Sequence, residues 1–548
     1  MIFPVLIRIA IGAFLSLTLY AAENGANAEK DAEKPKSKNS AAKNAADDLA
    51  STHFFMGPIQ RFEITLTRGE MNKLNSVQGW GGPKLHVSAS VQVGTNMYEK
   101  VSLHLKGAAG SFRSVSSGNP AFTLNFGKLN DAQKFHGMRK IHLNNSLQDP
   151  SRLSELFCGE IYRRAGVPAT RATHALVSLN GKDLGLYVLK EGFDKPFLRR
   201  NFGDASGNLY DGGFVQDVDN DLERDSGDGP ETRKDLRDLA EAALEGDPTA
   251  RLNKLEKVLD IDRFLTLSAL QFLFDDWDGY IRNRNNYRIY HDPRTDKMVF
   301  LPHGMDQMFE TPNSPLLRPV GGLVARQVFS IPGMKGKLLK RVGELTNSVF
   351  TMAALDEVLA APKLRLQEAL ADRGREADIV ARQGQGFRSR VAQRLQKVTA
   401  GATAPLKFDS NNSLELAKFN WAEHLEGAGA DLSRQADQGK SYLAIRATQP
   451  SSVGSFRTTL RLEPGVYRLE ATAKASNVRA VNSTRGTGAG VRISGDRRAN
   501  RLMGTTDWRL LSHDFELEEP GEVVLVLELR ANEGDVAFDL ASAKLRRL

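Results

Sequence analysis

The chain has 548 residues, of which 41% are hydrophobic and 26% charged, a composition typical of a soluble globular protein with several cores. Its net charge of +8 is spread along the chain, so no basic run interleaved with aromatic residues indicates nucleic-acid binding. The single cysteine, Cys158, excludes an intramolecular disulfide framework and a cysteine-based zinc cluster. We expect Cys158 to be a small buried hydrophobe on a helix.

The N-terminus has the features of a targeting segment. Residues 1–22 combine an apolar core containing Arg8 with small residues near its end, Ala21 and Ala22, a pattern typical of a cleavable signal peptide. An uncleaved membrane anchor is the alternative, because the apolar stretch approaches spanning length. Residues 23–52 are rich in Ala, Lys and Asn and predict a disordered linker. The sequence therefore predicts an exported protein (periplasm, cell surface or extracellular space) with no membrane span once the signal is cleaved.

Three folded regions follow in chain order. In residues 53–191, alternating apolar and polar residues predict a mostly antiparallel sheet with one helix after Asp149, and an Asn180–Gly181 turn predicts a hairpin. Residues 192–400 are mainly helical, and the apolar stretch 260–274 predicts a helix buried in a core. From 405 to 548, short alternating strands with Gly and Pro turns predict a β-sandwich. The fold class is therefore α+β.

The segment 275–307 carries the strongest chemical signal. Asp278 follows the buried helix in a polar loop, Asn286 opens a predicted strand, and Asp306 follows the predicted hairpin. Protein kinases present their catalytic base and metal ligands in this order, and carboxylate and amide oxygens suit Mg²⁺ or Mn²⁺. The order predicts ATP-dependent phosphoryl transfer with Asp278 as base and Asn286 and Asp306 at the metal. Asp275 and Asp276 are weaker candidates.

The phosphate-binding side is less sharply defined. The stretch LKGAAGSF predicts a loop over ATP that begins at Gly107, with Lys106 reaching the phosphates, although an ordinary loop between strands would look the same. A basic residue on the strand near 140 offers an alternative contact, paired with an acid of the following helix: Lys140 or Arg139, with Glu155 or Glu160. A surface ion pair explains those charges equally well.

Five segments resemble a known family: HLKGAAGSF, FHGMRKIHLNNSLQDPSRL, LNGKDLGLYVLKEGFDKPFL, DDWDGYIRNRNNYRIYHD and FLPHGMDQMF. They are similar to the CotH family of secreted kinase-like proteins over about residues 54–320. The resemblance implies an atypical two-lobed protein-kinase fold, with an N-lobe over 53–191 and a C-lobe over 192–400. It also implies ATP and Mg²⁺ or Mn²⁺ as cofactors, and phosphorylation of secreted proteins on Ser or Thr.

The resemblance also implies roles for individual residues. Asp278 resembles the catalytic Asp, Asn286 and Asp306 resemble the metal-binding pair, and Glu191 would lie where the two lobes join and the nucleotide base binds. The step of eight residues from Asp278 to Asn286 is longer than in ordinary kinases, which leaves two competitors for the metal: Asn283 and Asn285.

Two further stretches leave alternatives open. The acidic stretch 217–228 lacks the central glycine and final Glu of an EF-hand, which favours a solvated loop over a calcium site. The C-terminal sandwich resembles jelly-roll carbohydrate-binding modules, and four of its aromatic residues either stack on sugars or fill the core: Trp421, Trp508, Tyr442 and Tyr467.

The leading hypothesis is an exported kinase acting on Ser or Thr of secreted or surface proteins, with a polysaccharide as a further candidate partner and nucleic acid excluded. A non-catalytic surface or adhesion protein, with a degenerate kinase fold and a glycan-binding sandwich, is the alternative. A third hypothesis is a glycosidase that uses Asp278 and Asp306 as paired carboxylates.

Overall fold

The computed structural model describes residues 38–548 apart from 83, 230, 401–405, 407, 427–428, 438–439, 482–485 and 519–520. The signal peptide predicted for 1–22 and the first part of the predicted linker, 23–37, lie outside the described residues. The described chain is a mixed α+β protein, as predicted, with twelve helices and twenty strands assigned in it.

The linker prediction is wrong for residues 38–52, which form most of helix α1 (Lys38–Met56). The end of α1 is anchored by packing: the Phe54 and Phe135 rings lie 4.8 Å apart between centroids, and the Arg171 guanidinium lies 4.8 Å from the centre of the Phe55 ring. Arg171 also donates hydrogen bonds to the Ser51 and Thr52 hydroxyls. Tertiary contacts thus stabilise a helix whose polar composition alone is typical of disorder.

The first folded region is a closed seven-stranded barrel in the order β1-β2-β3-β4-β5-β7-β6. Its strands are β1 (Gln60–Thr65), β2 (Val87–Val93), β3 (Asn96–Lys106), β4 (Ala121–Asn125), β5 (Lys140–Asn144), β6 (Ala172–Leu179) and β7 (Lys182–Glu191). Every pairing is antiparallel except β1 with β6, which is parallel and closes the barrel. Two helices accompany it, α2 (Arg68–Asn75) and α3 (Ser154–Arg164). Alternate residues of the strands fill an apolar interior.

The predicted hairpin is present as β6 and β7, whose turn residues Asn180 and Gly181 both have positive φ, at 47° and 78°. Helix α3 starts at Ser154, later than its predicted start after Asp149. The Asp149 carboxylate still serves that end, because it accepts a hydrogen bond from the Ser154 N–H at 2.9 Å.

The second region is mainly helical around a small sheet. Its helices are α4 (Lys195–Phe202), α5 (Lys234–Ala243), α6 (Pro248–Val258), α7 (Ile261–Leu273), α8 (Tyr280–Asn283), α9 (Leu323–Phe329), α10 (Met334–Ser348), α11 (Met352–Ala369) and α12 (Gly374–Ala400). The sheet has the order β11-β10-β8-β9, formed by β8 (Leu209–Asp211), β9 (Arg224–Ser226), β10 (Tyr287–Asp292) and β11 (Lys297–Pro302). Nearly all of α7 is buried, as its apolar sequence predicts, and α3 contributes to the same core.

The C-terminal region is all β and encloses a separate apolar core. Its strands are β12 (Ser413–Glu415), β13 (Ala422–Leu425), β14 (Ala430–Asp437), β15 (Lys440–Ala447), β16 (Ser452–Leu462), β17 (Gly465–Ala480), β18 (Gly488–Ile493), β19 (Gly504–Leu517) and β20 (Gly521–Arg547). The long strand β20 pairs with five of the others. Within the described residues, no helix is both long enough and apolar enough to span a bilayer.

Candidate active site

A cavity of about 1290 Å³ lies between the barrel strands β3–β5 and the β10–β11 hairpin of the helical region. Most of the residues predicted for the site line it: Lys106, Gly107, Lys140, Asp278, Asn286 and Asp306. They come from segments far apart in the sequence, so the fold brings the predicted base, metal ligands and phosphate contacts to one place. Glu155 and Glu191 are not among its lining residues.

Asp278 is held by three side-chain amides. Its Oδ1 accepts a hydrogen bond from Asn283 Nδ2 at 2.7 Å, and its Oδ2 accepts from Asn285 at 3.1 Å and from Asn286 at 2.8 Å. The short helix α8 and the left-handed Arg284 that ends it turn the chain back, so that residues five to eight positions later reach the carboxylate. The helical turn of α8 therefore accommodates the eight-residue separation between Asp278 and Asn286. The carboxylate is fixed in place and acceptor-only when ionised.

Asn286 and Asp306 are brought together by the hairpin. Tyr287 pairs with Pro302 at its open end, and the His303 N–H donates to the Asn286 carbonyl at 3.0 Å. The next residue, Gly304, has φ +58°, and a Cβ there would collide with Asn286 Oδ1. A glycine is thus required for the chain to pass the Asn286 amide on its way to Asp306. Because Asn286 Nδ2 is used on Asp278, its Oδ1 is the atom left for a cation.

Asp306 lies in a buried environment of mixed charge. Burial raises the pKa of its carboxyl to about 6, and the nearby Glu155 carboxylate adds to that rise, while Lys106 and Lys190 oppose it. Burial likewise lowers the pKa of the Lys106 ammonium to about 8, with a contribution from Lys190. Two acids and two lysines therefore share one poorly solvated pocket.

The partner predicted for Glu155 is wrong. Glu155 does not pair with Lys140 or Arg139 but with Lys190 of β7, whose Nζ lies 2.6 Å from Glu155 Oε1, and the two side chains are only 0% and 3% exposed. The same oxygen accepts a hydrogen bond from the Met305 N–H at 3.1 Å. Glu155 thereby holds the backbone beside Asp306, and Lys190 is a site residue that the sequence analysis missed.

Glu160 is also occupied elsewhere, since its carboxylate contacts Arg163 and Arg164 on the same helix. The signal that could have revealed Lys190 is its position in the strand stretch LYVLKE. A lysine among buried apolar residues requires a partner, although the sequence does not say which acid provides it.

Lys106 and Gly107 lie at the cavity as predicted. Lys106 Nζ donates to Asn144 Oδ1 at 2.7 Å. Gly107 has φ +118°, and a Cβ there would lie 2.9 Å from the Phe112 backbone, so the loop can turn tightly only with glycine. Its turn is closed by the Phe112 N–H bonded to the Ala108 carbonyl at 2.9 Å. Lys140 lies further along the same wall, on β5.

Glu191 lies in a buried ion-pair network and not in the cavity lining. Its carboxylate is 2% exposed and is held by Arg171 at 2.9 Å and Arg200 at 2.6 Å. Burial alone would raise the pKa of Glu191, but the two guanidinium groups outweigh it and the net pKa is lowered. Both oxygens accept hydrogen bonds from Arg171, which directly precedes β6, or from Arg200 of α4, and the nucleotide-base contact of Glu191 stays a prediction.

Asp275 and Asp276 have separate roles from Asp278. Asp275 is bonded to the Ser314 hydroxyl at 2.8 Å and to Arg318 at 3.1 Å. Asp276 is 4% exposed, and burial, reinforced by the Asp278 charge, raises its pKa to about 8. Asp275 therefore anchors the loop, the raised pKa of Asp276 favours its protonated form, and Asp278 is the member of the trio that lines the cavity.

Three further residues at the cavity were not predicted. Arg288 of β10 pairs with Asp211 at 2.5 Å, and its Nε lies 3.4 Å from an Asp225 oxygen. His142 and His303 lie within ring contact, and burial lowers the pKa of each well below its ordinary value. These three residues thus add one ion-paired guanidinium and two neutral imidazoles to the wall.

The residues present fit a hard divalent cation. Glu155 Oε2 is buried and has no hydrogen-bond partner, and it belongs to a carboxylate that repels the Asp306 charge. A cation bound by Asp306, Glu155 Oε2 and Asn286 Oδ1 would give the unpartnered oxygen a ligand and would reduce the repulsion between the two carboxylates. Among the described residues, no group of three or more His, Cys, Asp or Glu side chains is arranged to hold a metal, so such a site would need an amide and phosphate oxygens.

The acidic stretch 217–228 is partly structural. Asp217 accepts hydrogen bonds from the Tyr280 hydroxyl at 2.9 Å and from the Leu323 N–H at 2.7 Å, so it ties this segment to α8 and α9.

Comparison with known proteins bears on the same region. The CotH kinase protein family model matches residues 98–372. Inner spore coat protein H of Bacillus subtilis is 27% identical over 192 residues, which cover 31% of this chain and 50% of the relative. Invasin CotH7 of Rhizopus delemar is 23% identical over 301 residues, covering 47% and 48%. The matches thus cover about half of the length of these relatives.

Among solved structures, a β-1,4-galactotriose complex of TmCBM61 aligns with 26% of this chain and 99% of its own, at 15% identity and a TM-score of 0.19. The family match spans half of the chain, from β3 to the loop after α11, and contains every cavity residue discussed above. The chain therefore belongs to the CotH kinase protein family.

Proposed function

We propose that this chain is an exported, metal-dependent kinase that transfers the γ-phosphoryl group of ATP to Ser or Thr hydroxyls of secreted or surface proteins. The observation that carries the proposal is the convergence of Asp278, Asn286, Asp306 and Lys106 on one cavity. An acid that can take a proton, oxygens for a cation and an ammonium for phosphate are the parts that phosphoryl transfer requires.

Asp278 would act as the base. The acceptor hydroxyl oxygen bonds to the γ-phosphorus while the bond to the β–γ bridging oxygen breaks, and the hydroxyl proton passes to the Asp278 carboxylate. The amides of Asn283, Asn285 and Asn286 hold that carboxylate at 2.7–3.1 Å and so keep it oriented without neutralising it.

Asn286 and Asp306 would hold Mg²⁺ or Mn²⁺, and Glu155 Oε2, which is buried without a hydrogen-bond partner, is a further candidate oxygen. When bound, the cation supplies positive charge to the β- and γ-phosphate oxygens. Lys106, Lys140 and Arg288 would bind the phosphates from the barrel and hairpin walls. The Lys190–Glu155 pair would support the site by fixing the Met305 backbone.

The proposal includes a two-lobed, kinase-like arrangement. The barrel would correspond to the N-lobe and the helical region with β8–β11 to the C-lobe, with the nucleotide between them. What supports this is the position of the cavity, whose walls come from β3–β5 on one side and from the 275–307 segment on the other.

Radiolabel transfer from γ-labelled ATP to the chain itself and to Ser- and Thr-containing peptides, with Mg²⁺ or Mn²⁺, tests the proposal. Asp278→Asn should reduce transfer by about 10² to 10⁴, the usual range for loss of a general base. Asp306→Asn should also reduce transfer, because it weakens the proposed cation site. The matched control is Asp296→Asn, in the β10–β11 turn, where the side chain is 91% exposed and φ is +55°, a conformation Asn tolerates.

Undiminished transfer by the Asp278→Asn and Asp306→Asn proteins, with Asp296→Asn also unchanged, would remove both residues from the mechanism. No transfer by the wild type under any metal condition, together with no nucleotide-induced rise in melting temperature, would contradict the kinase itself.

A further inference from the structure

Two of the four aromatic residues considered for sugar binding are core residues. Trp421 is fully buried and its Nε1–H donates to the Leu416 carbonyl at 3.2 Å. Tyr467 is fully buried, stacks on Phe515 and donates its hydroxyl hydrogen to the Glu463 carbonyl at 2.7 Å. Both are satisfied within the sandwich and are excluded as ligand contacts.

The other two form an exposed stacked pair. The rings of Tyr442 and Trp508 lie 5.2 Å apart between centroids at an interplanar angle of 23°. Trp508 nevertheless remains 39% exposed, and Leu510, two residues along the same strand, is 61% exposed. The pair is therefore an apolar platform on the outside of the sandwich.

The sheet places small and polar side chains around this platform. In the register, Tyr442 of β15 lies opposite Asp539 of β20, Asp539 opposite Thr472 of β17, and Thr472 opposite Leu510 of β19. Directly paired residues share one face of a sheet, so these side chains form one row. The neighbouring row of the same face consists of Ala444, Ala537 and Lys474.

Trp508 lies on this face because it is two residues from Leu510 on β19, next to a β-bulge. Between the pairs Ala473–Arg509 and Ala475–Thr506, strand β19 carries one residue more than β17. Such an extra residue bends the strand and redirects a side chain. The Asp507 carboxylate accepts the Trp508 N–H at 2.9 Å, which fixes the bulge. The Trp508 ring meets the Tyr442 ring although β20 and β17 lie between their two strands.

We propose that the Tyr442–Trp508 platform binds a neutral polysaccharide. A sugar ring presents a flat C–H face that packs on an aromatic ring and a rim of hydroxyls that need both donors and acceptors. The platform offers the rings, with Lys474 as donor and Asp539 and Thr472 as acceptors around them. The two rows contain one acid and one base, Asp539 and Lys474, and so add no net charge, which suits uncharged hydroxyls better than an anion.

The position of the platform argues against a bound peptide strand. Strands β15, β20 and β17 are interior to the sheet here, each with a neighbour on both sides, so their backbone groups are already paired. An occupant can be recognised there only through side chains, as a sugar chain is.

Retention of the full chain on immobilised or gel-embedded polysaccharides tests this inference. The probes are xylan, mixed-linkage β-glucan and galactan as neutral polymers, and polygalacturonate as an acidic one. We expect retention on at least one neutral polymer, weakened at least tenfold by Trp508→Ala and by Tyr442→Ala. Trp508→Phe should keep most of the binding, and Leu425→Ala, at an exposed apolar residue of β13 (49%), should leave it unchanged.

Three results would overturn the inference. They are no retention of the wild type on any neutral polymer, retention only on polygalacturonate, and equal binding by the wild type and a folded Trp508→Ala or Tyr442→Ala protein. A change in oligomeric state of the Trp508→Ala protein without a change in polysaccharide binding would assign the face to a second copy of the chain instead. Phosphoryl transfer should be unaffected by all of these variants.

Discussion

Replacing Lys190 by methionine tests how the barrel and α3 hold the site together. The Lys190–Glu155 pair is 2.6 Å long and its side chains are 0% and 3% exposed, so solvent screens it little. Exposed pairs contribute about 0–1 kcal/mol, whereas removal of one partner of a buried pair costs about 3–5 kcal/mol, because the other charge is left unpaired. We therefore expect Lys190→Met and Glu155→Gln each to lower the free energy of unfolding by about 3–5 kcal/mol.

The two changes should not be additive. The double variant leaves neither charge unpaired, so its loss should be smaller than the sum of the single losses by about 0.5–3 kcal/mol, the usual coupling between contacting residues. Hydrogen exchange of peptides from α3 and β7, followed against urea concentration, measures this locally and avoids treating the whole multi-region chain as two-state.

If Lys190→Met and Glu155→Gln each lowered the free energy of unfolding by less than about 1 kcal/mol, and the two effects added in the double variant, the pair would be solvated in solution and would not support Met305. The control is Lys73→Met, which removes the exposed Lys73–Glu70 pair at 2.9 Å and should cost less than about 1 kcal/mol.

Two further predictions concern the cation and nucleotide. The pKa of Asp306 is raised to about 6 and that of Lys106 lowered to about 8, so Asp306 gains a proton as the pH falls through 6 and Lys106 loses one as it rises through 8. The rise in melting temperature caused by ATP and Mn²⁺ should therefore be largest between about pH 6 and pH 8. Lys106→Arg should extend this rise to higher pH, because the guanidinium stays protonated. A variant whose response to ATP and Mn²⁺ is lost at the same alkaline pH as that of the wild type would contradict this. Gly304→Ala should weaken Mn²⁺ binding by displacing the Asn286 amide, at a stability cost of about 1–2 kcal/mol from its positive φ. Gly94→Ala, with the same φ of +58° and nothing within 4 Å, should cost similar stability and leave Mn²⁺ binding intact, and equal affinities of the two variants would refute the steric argument.

The parts of the site that the sequence predicts are those encoded by local order. Asp278, Asn286 and Asp306 fall within 29 consecutive residues, and a helix, a loop and a hairpin in that order determine where they meet. Gly107 and the Asn180–Gly181 turn are likewise local, because a positive φ selects its residue type.

The parts that the sequence does not predict depend on long-range contacts. The β1–β6 parallel pair closes the barrel between residues more than 100 positions apart, and no periodicity in either strand specifies that partner. Glu155 pairs with Lys190, and Glu191 pairs with Arg171 and Arg200. These partners are likewise set by how the strands and helices pack and not by a local sequence pattern. Helix α1 was missed because its stability comes from Phe54, Phe55 and Arg171 contacts rather than from its own composition.

The DDWD segment shows how environment assigns different roles to similar residues. Asp275, Asp276 and Asp278 are alike in sequence, yet hydrogen bonds to Ser314 and Arg318 lower the pKa of the first despite its burial, while burial raises the pKa of the second to about 8. The nearby Asp278 carboxylate contributes to that second shift. Asp278 itself lines the cavity and is held by three amides, so it is the member of the trio suited to act as the proposed base.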